Sequence, residues 1–351
     1  MHFRTFAWRF IATISFLVIL ATSADAHEAW LLTPSEIEEL SVAPIPPLFR
    51  SRLFLGIAAT MGFAVSLFAL RLEASITQLE DRLIAPFSRG FADVAPLFLR
   101  LGLASMLLLA AFGGLPRHGT SMWTTPTFLV PDMQLVGIAL AGALTLVQLI
   151  VGFLLLLGLL TRICGAALVG FSMLGLAVFG SAFGSYGLHF AGPGLIVIAL
   201  GGGRFSLDQA FHSDLGQKVA FRSRKFLWRG AQILIGIGFV YLGIAYKLLQ
   251  PTLLIAILEH GEMPTFGLPM PVVALVMTGV EILCGALLVL GRLVRPVALA
   301  ILGAITFLAV VLGETPLFHA NLYGALLAML LIGRHLPLPF GSVQFRRVRV
   351  A

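Results

Sequence analysis

Glu281-Ile-Leu-Cys-Gly285-Ala-Leu-Leu-Val-Leu-Gly291-Arg-Leu-Val-Arg295 has an earlier counterpart in Gln148-Leu-Ile-Val-Gly152-Phe-Leu-Leu-Leu-Leu-Gly158-Leu-Leu-Thr-Arg162. Glu281, Gly285, Gly291 and Arg295 follow Gln148, Gly152, Gly158 and Arg162 by 133 positions each. Upstream, Arg100, Gly114 and His118 return as Arg229, Gly243 and Lys247, 129 positions later. Downstream, His189, Gly203 and Arg204 return as His319, Gly333 and Arg334, 130 positions later. The offset changes only between the blocks, where loops are expected, which is the signature of a duplicated unit. Both copies are apolar apart from a few positions, and at two of those they differ chemically. The second copy has Lys247 and Glu281 where the first has His118 and Gln148.

Composition sets the environment. Hydrophobic residues make up 59% of the 351 positions, charged residues 11%, and mean hydropathy is +1.00. A water-soluble chain this apolar would have too little polar surface to cover itself. Apolar runs of the length a membrane helix needs are bounded by charge, Gly or Pro. The reading is an all-α, polytopic membrane helical bundle: two tandem four-helix units plus one N-terminal transmembrane helix. Spans are expected near 53–70, then 92–112, 135–158, 163–182 and 188–203, then 230–249, 272–291, 295–313 and 317–333.

The expected organisation is a signal peptide over 1–26, then an outer segment, first span and cytosolic amphipathic connector over 27–90. The first unit occupies 91–208, a basic cytosolic linker 209–228, the second unit 229–336 and a basic cytosolic tail 337–351. Arg4 and Arg9 before the apolar stretch Phe10 to Leu20, followed by Ala24-Asp25-Ala26, suit export and cleavage after Ala26. An uncleaved anchor leaves residue 27 on the same side. Pro34-Ser35-Glu36 is read as the start of a short interfacial helix. Leu72, Ile76, Leu79 and Leu83 recur at helical spacing, as in an amphipathic helix on the inner surface.

The net charge of +7 is explained by topology. With the mature N-terminus outside and the C-terminus cytosolic, as in a bacterial-type inner membrane, basic residues fall in inner connections; Arg50, Arg52, Arg117 and Lys247 are the exceptions. No Gly-rich phosphate loop and no aromatic-basic platform points to nucleic acid. Cys164 and Cys284 are not at matching repeat positions and form no CxxC, so packing thiols are expected. No spacing supports a Ser-His-Asp constellation.

Three stretches resemble the DoxX/DoxD family of four-helix membrane proteins. Gly243-Ile-Ala-Tyr-Lys247-Leu-Leu-Gln-Pro251 is similar to the family's G..KL..P ending of its first helix. The quoted Glu281–Arg295 stretch is similar to its E...G.....G...R second helix and turn. Gly201-Gly-Gly203-Arg204-Phe205-Ser206-Leu207-Asp208 is similar to its closing G.GR.SLD. The resemblance covers about residues 91–336 as a tandem pair, and neither copy is complete. The first lacks the Lys and Glu; the second ends Gly333-Arg334-His335-Leu336-Pro337, without the Ser and Asp. The resemblance implies a setting in quinone-linked redox complexes, with an oxidoreductase partner and a quinone as the possible cofactor.

Glu281 falls near the middle of its span, where a carboxylate should face the bundle and have a partner. Lys247 and His319, from the same unit, are the candidates for a ligand or proton site, with Gln148, His118 and His189 at the matching places in the first. Two readings stand for Glu281: a protonated acid giving one interhelical hydrogen bond, or a group that handles a proton or a bound ligand. His189 and His319 could ligate haem or a metal across two helices, but interfacial hydrogen bonding explains them as well. His27 as a mature N-terminus could chelate Cu(II). Arg162 and Arg295 are read as orientation and phosphate contacts. Ser206-Leu207-Asp208 is read as a local turn or helix cap. Functionally the sequence leaves three classes: a membrane subunit or accessory of a quinone-linked oxidoreductase, a transporter of a small solute or ion, or a non-catalytic assembly scaffold. Gly192-Pro193-Gly194 and Glu314-Thr315-Pro316 motivate the second, because interrupted segments at matching places can mark a transport site. No cofactor signature assigns catalysis to this chain alone.

Overall fold

The computed structural model describes residues 32–83, 91–115, 121–211, 221–334 and 336. The expected signal peptide, His27, His118, the last part of the connector, residues 212–220 of the basic linker and the basic tail lie outside them. Among the described residues all regular structure is helical, save one isolated bridge between Thr127 and Gln134. Six helical runs are long and apolar enough to cross a bilayer, so the chain is a multi-pass membrane protein.

Helix α1 (Pro34–Val42) begins on a capping box, in which the Thr33 N–H donates to Glu36 Oε2 at 2.7 Å and the Glu36 N–H to Thr33 Oγ1 at 3.3 Å. Helix α2 (Arg52–Leu83) is one unbroken helix of 32 residues, about 48 Å at the helical rise. The amphipathic connector therefore continues the first span instead of forming a separate surface helix. Its Glu73 and Glu80 explain this, because they pair with Arg292 at 2.5 Å, just past the end of one helix, and with Arg295 at 2.6 Å, in the first turn of the next.

Then come α3 (Ala95–Phe112), α4 (Ala141–Leu157), α5 (Thr161–Phe179) and α6 (Gly184–Leu200). After them lie α7 (Phe221–Tyr241, extended by a π-helical turn over Leu242–Leu248), α8 (Pro251–His260), α9 (Met270–Leu290), α10 (Val294–Val311) and α11 (Ala320–Ile332). Helix α4 begins six residues later than expected, since Gln134 bridges to Thr127 and holds the preceding chain in a loop. Pro193 does not break its span: α6 runs straight through it, and the glycines on either side serve close packing. A Cβ at Gly192 would meet Ile235 Cγ1 at 2.5 Å, and one at Gly194 would meet Gly165 O at 2.8 Å.

In a bilayer apolar burial drives helix association weakly, so close backbone approach and polar caps carry it. Gly165 and Gly194 join α5 to α6, and Gly236 and Gly285 join α7 to α9. Gly102 and Gly324 join α3 to α11, where a Cβ on Gly102 would stand 2.1 Å from Ala320 O. Helix α6 packs on α5 and α7; α11 packs on α3 and, more loosely, on α10.

Arginines close the helix ends. Arg100 Nη1 donates to Leu155 O at 2.9 Å and Leu156 O at 3.2 Å, the last carbonyls of α4. Arg229, at the matching repeat position, does the same to Leu288 O at 3.0 Å and to Val289 O on α9. Both lie under a left-handed glycine, Gly158 (φ 69°) and Gly291 (φ 65°), whose Cβ would collide with the guanidinium. Arg162 donates to Ile198 O at the end of α6, and Arg295 to Leu330 O at 3.0 Å and Ile332 O at 3.2 Å at the end of α11. These two arginines thus cap helices, and phosphate contact is not needed to account for them. The capping glycines are Gly201 and Gly333, so the structure aligns Gly201, not Gly203, with Gly333.

Gly102→Val should separate α3 from α11 and lower the melting temperature in detergent by several degrees. Gly170→Val should leave it unchanged, because a Cβ there meets nothing within 4 Å. Equal melting of the two variants would contradict the close-packing account.

Candidate functional site

The end of α7 carries the second copy's lysine. Over Leu242–Leu248 the hydrogen bonding widens to the π pattern, a local irregularity often found at functional sites. Gly243 lets this turn lie against α9, for a Cβ there would meet Ile282 Cγ1 at 2.5 Å. Pro251 then opens α8 at its first turn, where no backbone N–H is required. The spacing Gly243, Lys247, Pro251 is thus a close approach, a charge and a restart.

Glu281 is the twelfth residue of the 21-residue α9, roughly 16 Å from its start, and sits mid-span. It shares a face with Ala274, Thr278, Gly285 and Leu288, all buried, whereas Val276 and Val280 on another face are exposed. Glu281 Oε2 lies 2.9 Å from Lys247 Nζ. The contact is an ion pair at hydrogen-bond distance, and Oε2 is shielded from solvent. Side-chain exposure is 10% for Lys247 and 15% for Glu281, so the pair is mostly but not wholly enclosed. The pair can hold a proton, donate to a carbonyl oxygen or bind a small polar group.

The matching place in the first copy is built differently. Gln148 on α4 is fully buried; its Oε1 accepts from the Leu129 N–H at 2.9 Å and its Nε2 donates to Thr127 O at 3.1 Å. The loop that supplies these groups is anchored by Phe128, whose ring lies 5.9 Å from Phe171 and 5.8 Å from Phe183. A neutral amide and a folded-back loop fill the place that the ion pair occupies in the second copy. His118 lies outside the described residues.

The two histidines part company. His189 on α6 is buried against Phe239, ring centroids 4.8 Å apart, and over Gly238, and its carbonyl accepts from Asn321 Nδ2 at 3.0 Å. His319 Nε2 stands 3.7 Å from Glu314 Oε2, a carboxylate only 3% exposed. The structure thus brings Lys247 to Glu281 and gives His319 a different acid. Among the described residues no group of three or more His, Cys, Asp or Glu side chains is placed to hold a metal ion. Cys164 and Cys284 are free and buried.

Several polar contacts escaped the sequence reading. Glu314 is one; its signal was a carboxylate beside a proline, five residues before a histidine. The local cap expected at Ser206-Leu207-Asp208 is present, with Ser206 capping the short helix Leu207–Ala210. What escaped is the distant helix that Asp208 caps, its Oδ1 accepting from Leu160 N–H at 2.7 Å and its Oδ2 from Thr161 N–H at 2.9 Å at the start of α5. The second copy has no such acid in its closing segment, and there Glu80 of α2 reaches Arg295 instead. Compared with models of protein families, with curated proteins and with solved structures, the chain matches none.

Because the pair is buried, removing one partner leaves an uncompensated charge, at a cost of about 3–5 kcal/mol, whereas removing both is far milder. Lys247→Met and Glu281→Leu should each lower the melting temperature more than the double substitution does. Additive single losses would mean that the two groups are uncoupled.

Proposed function

We propose that this chain is an integral membrane subunit or accessory of a quinone-linked oxidoreductase complex, with Lys247 and Glu281 as its lipophilic-ligand or proton site. In this reading the bundle is two copies of one four-helix unit behind an N-terminal span. The membrane is a bacterial-type inner membrane, with the mature N-terminus outside and the C-terminus cytosolic. Support for the duplication comes from Arg100 and Arg229, and from Arg162 and Arg295, which cap corresponding helices at corresponding sequence positions. Support for the orientation comes from the gathering of Arg292, Arg295 and Arg334 with the acidic end of α2 at one end of the bundle.

One observation carries the functional reading: the ion pair stands where the other copy manages with an amide. A buried pair of opposite charges gives little or no net stability over a neutral filling. Gln148 shows that a neutral side chain can serve the structural purpose at this place. The charges therefore serve chemistry. A quinone head group fits the chemistry of the residues present, an ammonium that can donate beside a carboxylate that can hold a proton, both mostly buried. When bound, such a group supplies electron transfer coupled to proton uptake and release. Lys247 would donate to a carbonyl oxygen through its ammonium, and Glu281 would hold or release a proton at Oε2. The bundle around them excludes bulk water.

A buried charge pair also suits passage of a small ion, and a scaffold role would need neither charge. Glu281→Gln, assayed in native membranes at an unchanged level of the chain, should lower quinone-dependent turnover of the partner enzyme by about a hundredfold, the usual scale for loss of acid–base help. Full turnover would overturn the proposal in favour of a scaffold. Loss of ion flux into proteoliposomes without redox dependence would favour a transporter.

A further inference from the structure

The helix pairs α5–α6 and α10–α11 occupy matching places in the sequence repeat but pack differently. In the first pair Gly165 and Gly194 bring the backbones into contact. In the second, Ala298 stands at the position of Gly165 and, with Gly333 aligned to Gly201, Leu326 stands at the position of Gly194, so neither side offers a glycine for close approach. Helices α10 and α11 consequently stand apart and leave a groove of about 560 Å³ on the membrane-facing side.

The walls are almost wholly carbon, from Leu302, Gly303, Phe307 and Leu327, with one polar feature, the pair Thr306 and Tyr323. Thr306 Oγ1 donates to Leu302 O at 2.7 Å, so its hydrogen is spent. In the 2.9 Å contact between Thr306 Oγ1 and Tyr323 Oη the phenol must then be the donor. Tyr323 Oη is left presenting only an acceptor to the groove. One turn beyond, towards the end away from the arginines, stand the paired Glu314 and His319.

We propose that this groove binds one chain-bearing membrane lipid whose neutral head carries a hydroxyl, and that this hydroxyl donates to Tyr323 Oη. The carbon walls select a hydrocarbon tail. The lining carries no charged side chain, and a charged head would be costly at this depth. The acceptor-only phenol selects a donor over a carbonyl. A free long-chain alcohol has this chemistry; a hydroquinone would leave its second hydroxyl unpaired against the carbon walls. The site is on α10 and α11 and does not depend on the role given to Lys247 and Glu281.

The test uses the full chain in phosphatidylcholine proteoliposomes with geranylgeraniol bearing a photoreactive diazirine on its chain. Labelling should concentrate on α10 and α11 around Gly303, Phe307 and Leu327. Tyr323→Phe should reduce it about fivefold, the scale of one hydrogen bond, while leaving labelling by the methyl ether of the same probe unchanged. Gly303→Leu should block both probes without changing the melting temperature, since a Cβ there meets nothing within 4 Å. A hydroquinone with the same chain and label should label more weakly than the alcohol; stronger labelling would overturn the assignment to a lone hydroxyl. Equal labelling by alcohol and ether in the unsubstituted protein, or labelling insensitive to Tyr323→Phe, would reduce the groove to ordinary lipid contact and overturn the proposal.

Discussion

Carbonyl groups at the C-terminal ends of α4, α6, α9 and α11 have no partner within their own helices, and a bilayer supplies little water to satisfy them. Four arginines meet this constraint: Arg100, Arg162, Arg229 and Arg295. Each sits on one helix and closes another, so each cap is also a helix–helix contact. The left-handed glycines at Gly158 and Gly291 are required twice over, once by backbone conformation and once by the guanidinium against them. The bundle's arrangement follows from these joints together with the glycine crossings of Gly102 with Gly324, Gly165 with Gly194 and Gly236 with Gly285.

On this shared frame the two halves diverge. Near the middle of the first, Gln148 holds a returning loop through two neutral hydrogen bonds. In the second, a π turn and α8 take the place of that loop, and Lys247 meets Glu281. At the arginine end the first half caps α5 with its own Asp208, while the second borrows Glu73 and Glu80 from α2. Helix α2 is otherwise poorly buried, with Leu53, Met61, Phe63 and Phe68 all exposed, and these ion pairs fix where it docks. Between α10 and α11 the first half's close contact becomes a groove. The divergence thus falls at three places: Gln148 against the Lys247–Glu281 pair, the acids at the arginine end, and the contact between α10 and α11.

How much of this could be read from residues alone depends on the range of the interaction. Helix positions were legible because apolar run length and flanking charge act locally, as for α3, α9 and α10. The Lys247–Glu281 contact was legible because a carboxylate in mid-span needs a partner and few candidates existed. The caps made by Arg162 and Arg295 were not, since positive charge at a membrane edge fits lipid contact equally well, and the carbonyls they meet lie more than thirty positions away. His319 was assigned to Glu281 by its unit; Glu314, across a proline turn, holds it instead. Pro193 was read as a break because its ring removes a donor, yet neighbouring helices packed on Gly192 and Gly194 keep α6 continuous.

The account rests on Lys247 and Glu281 being a charged pair inside the bundle. Infrared difference spectra of the protein in lipid, taken between the unsubstituted chain and Glu281→Gln, measure this directly. The account predicts that the substitution removes an ionised carboxylate band, and that in a Lys247→Met background the same residue reads as protonated carboxyl. A protonated signal in the unsubstituted chain, unchanged by Lys247→Met, would contradict it.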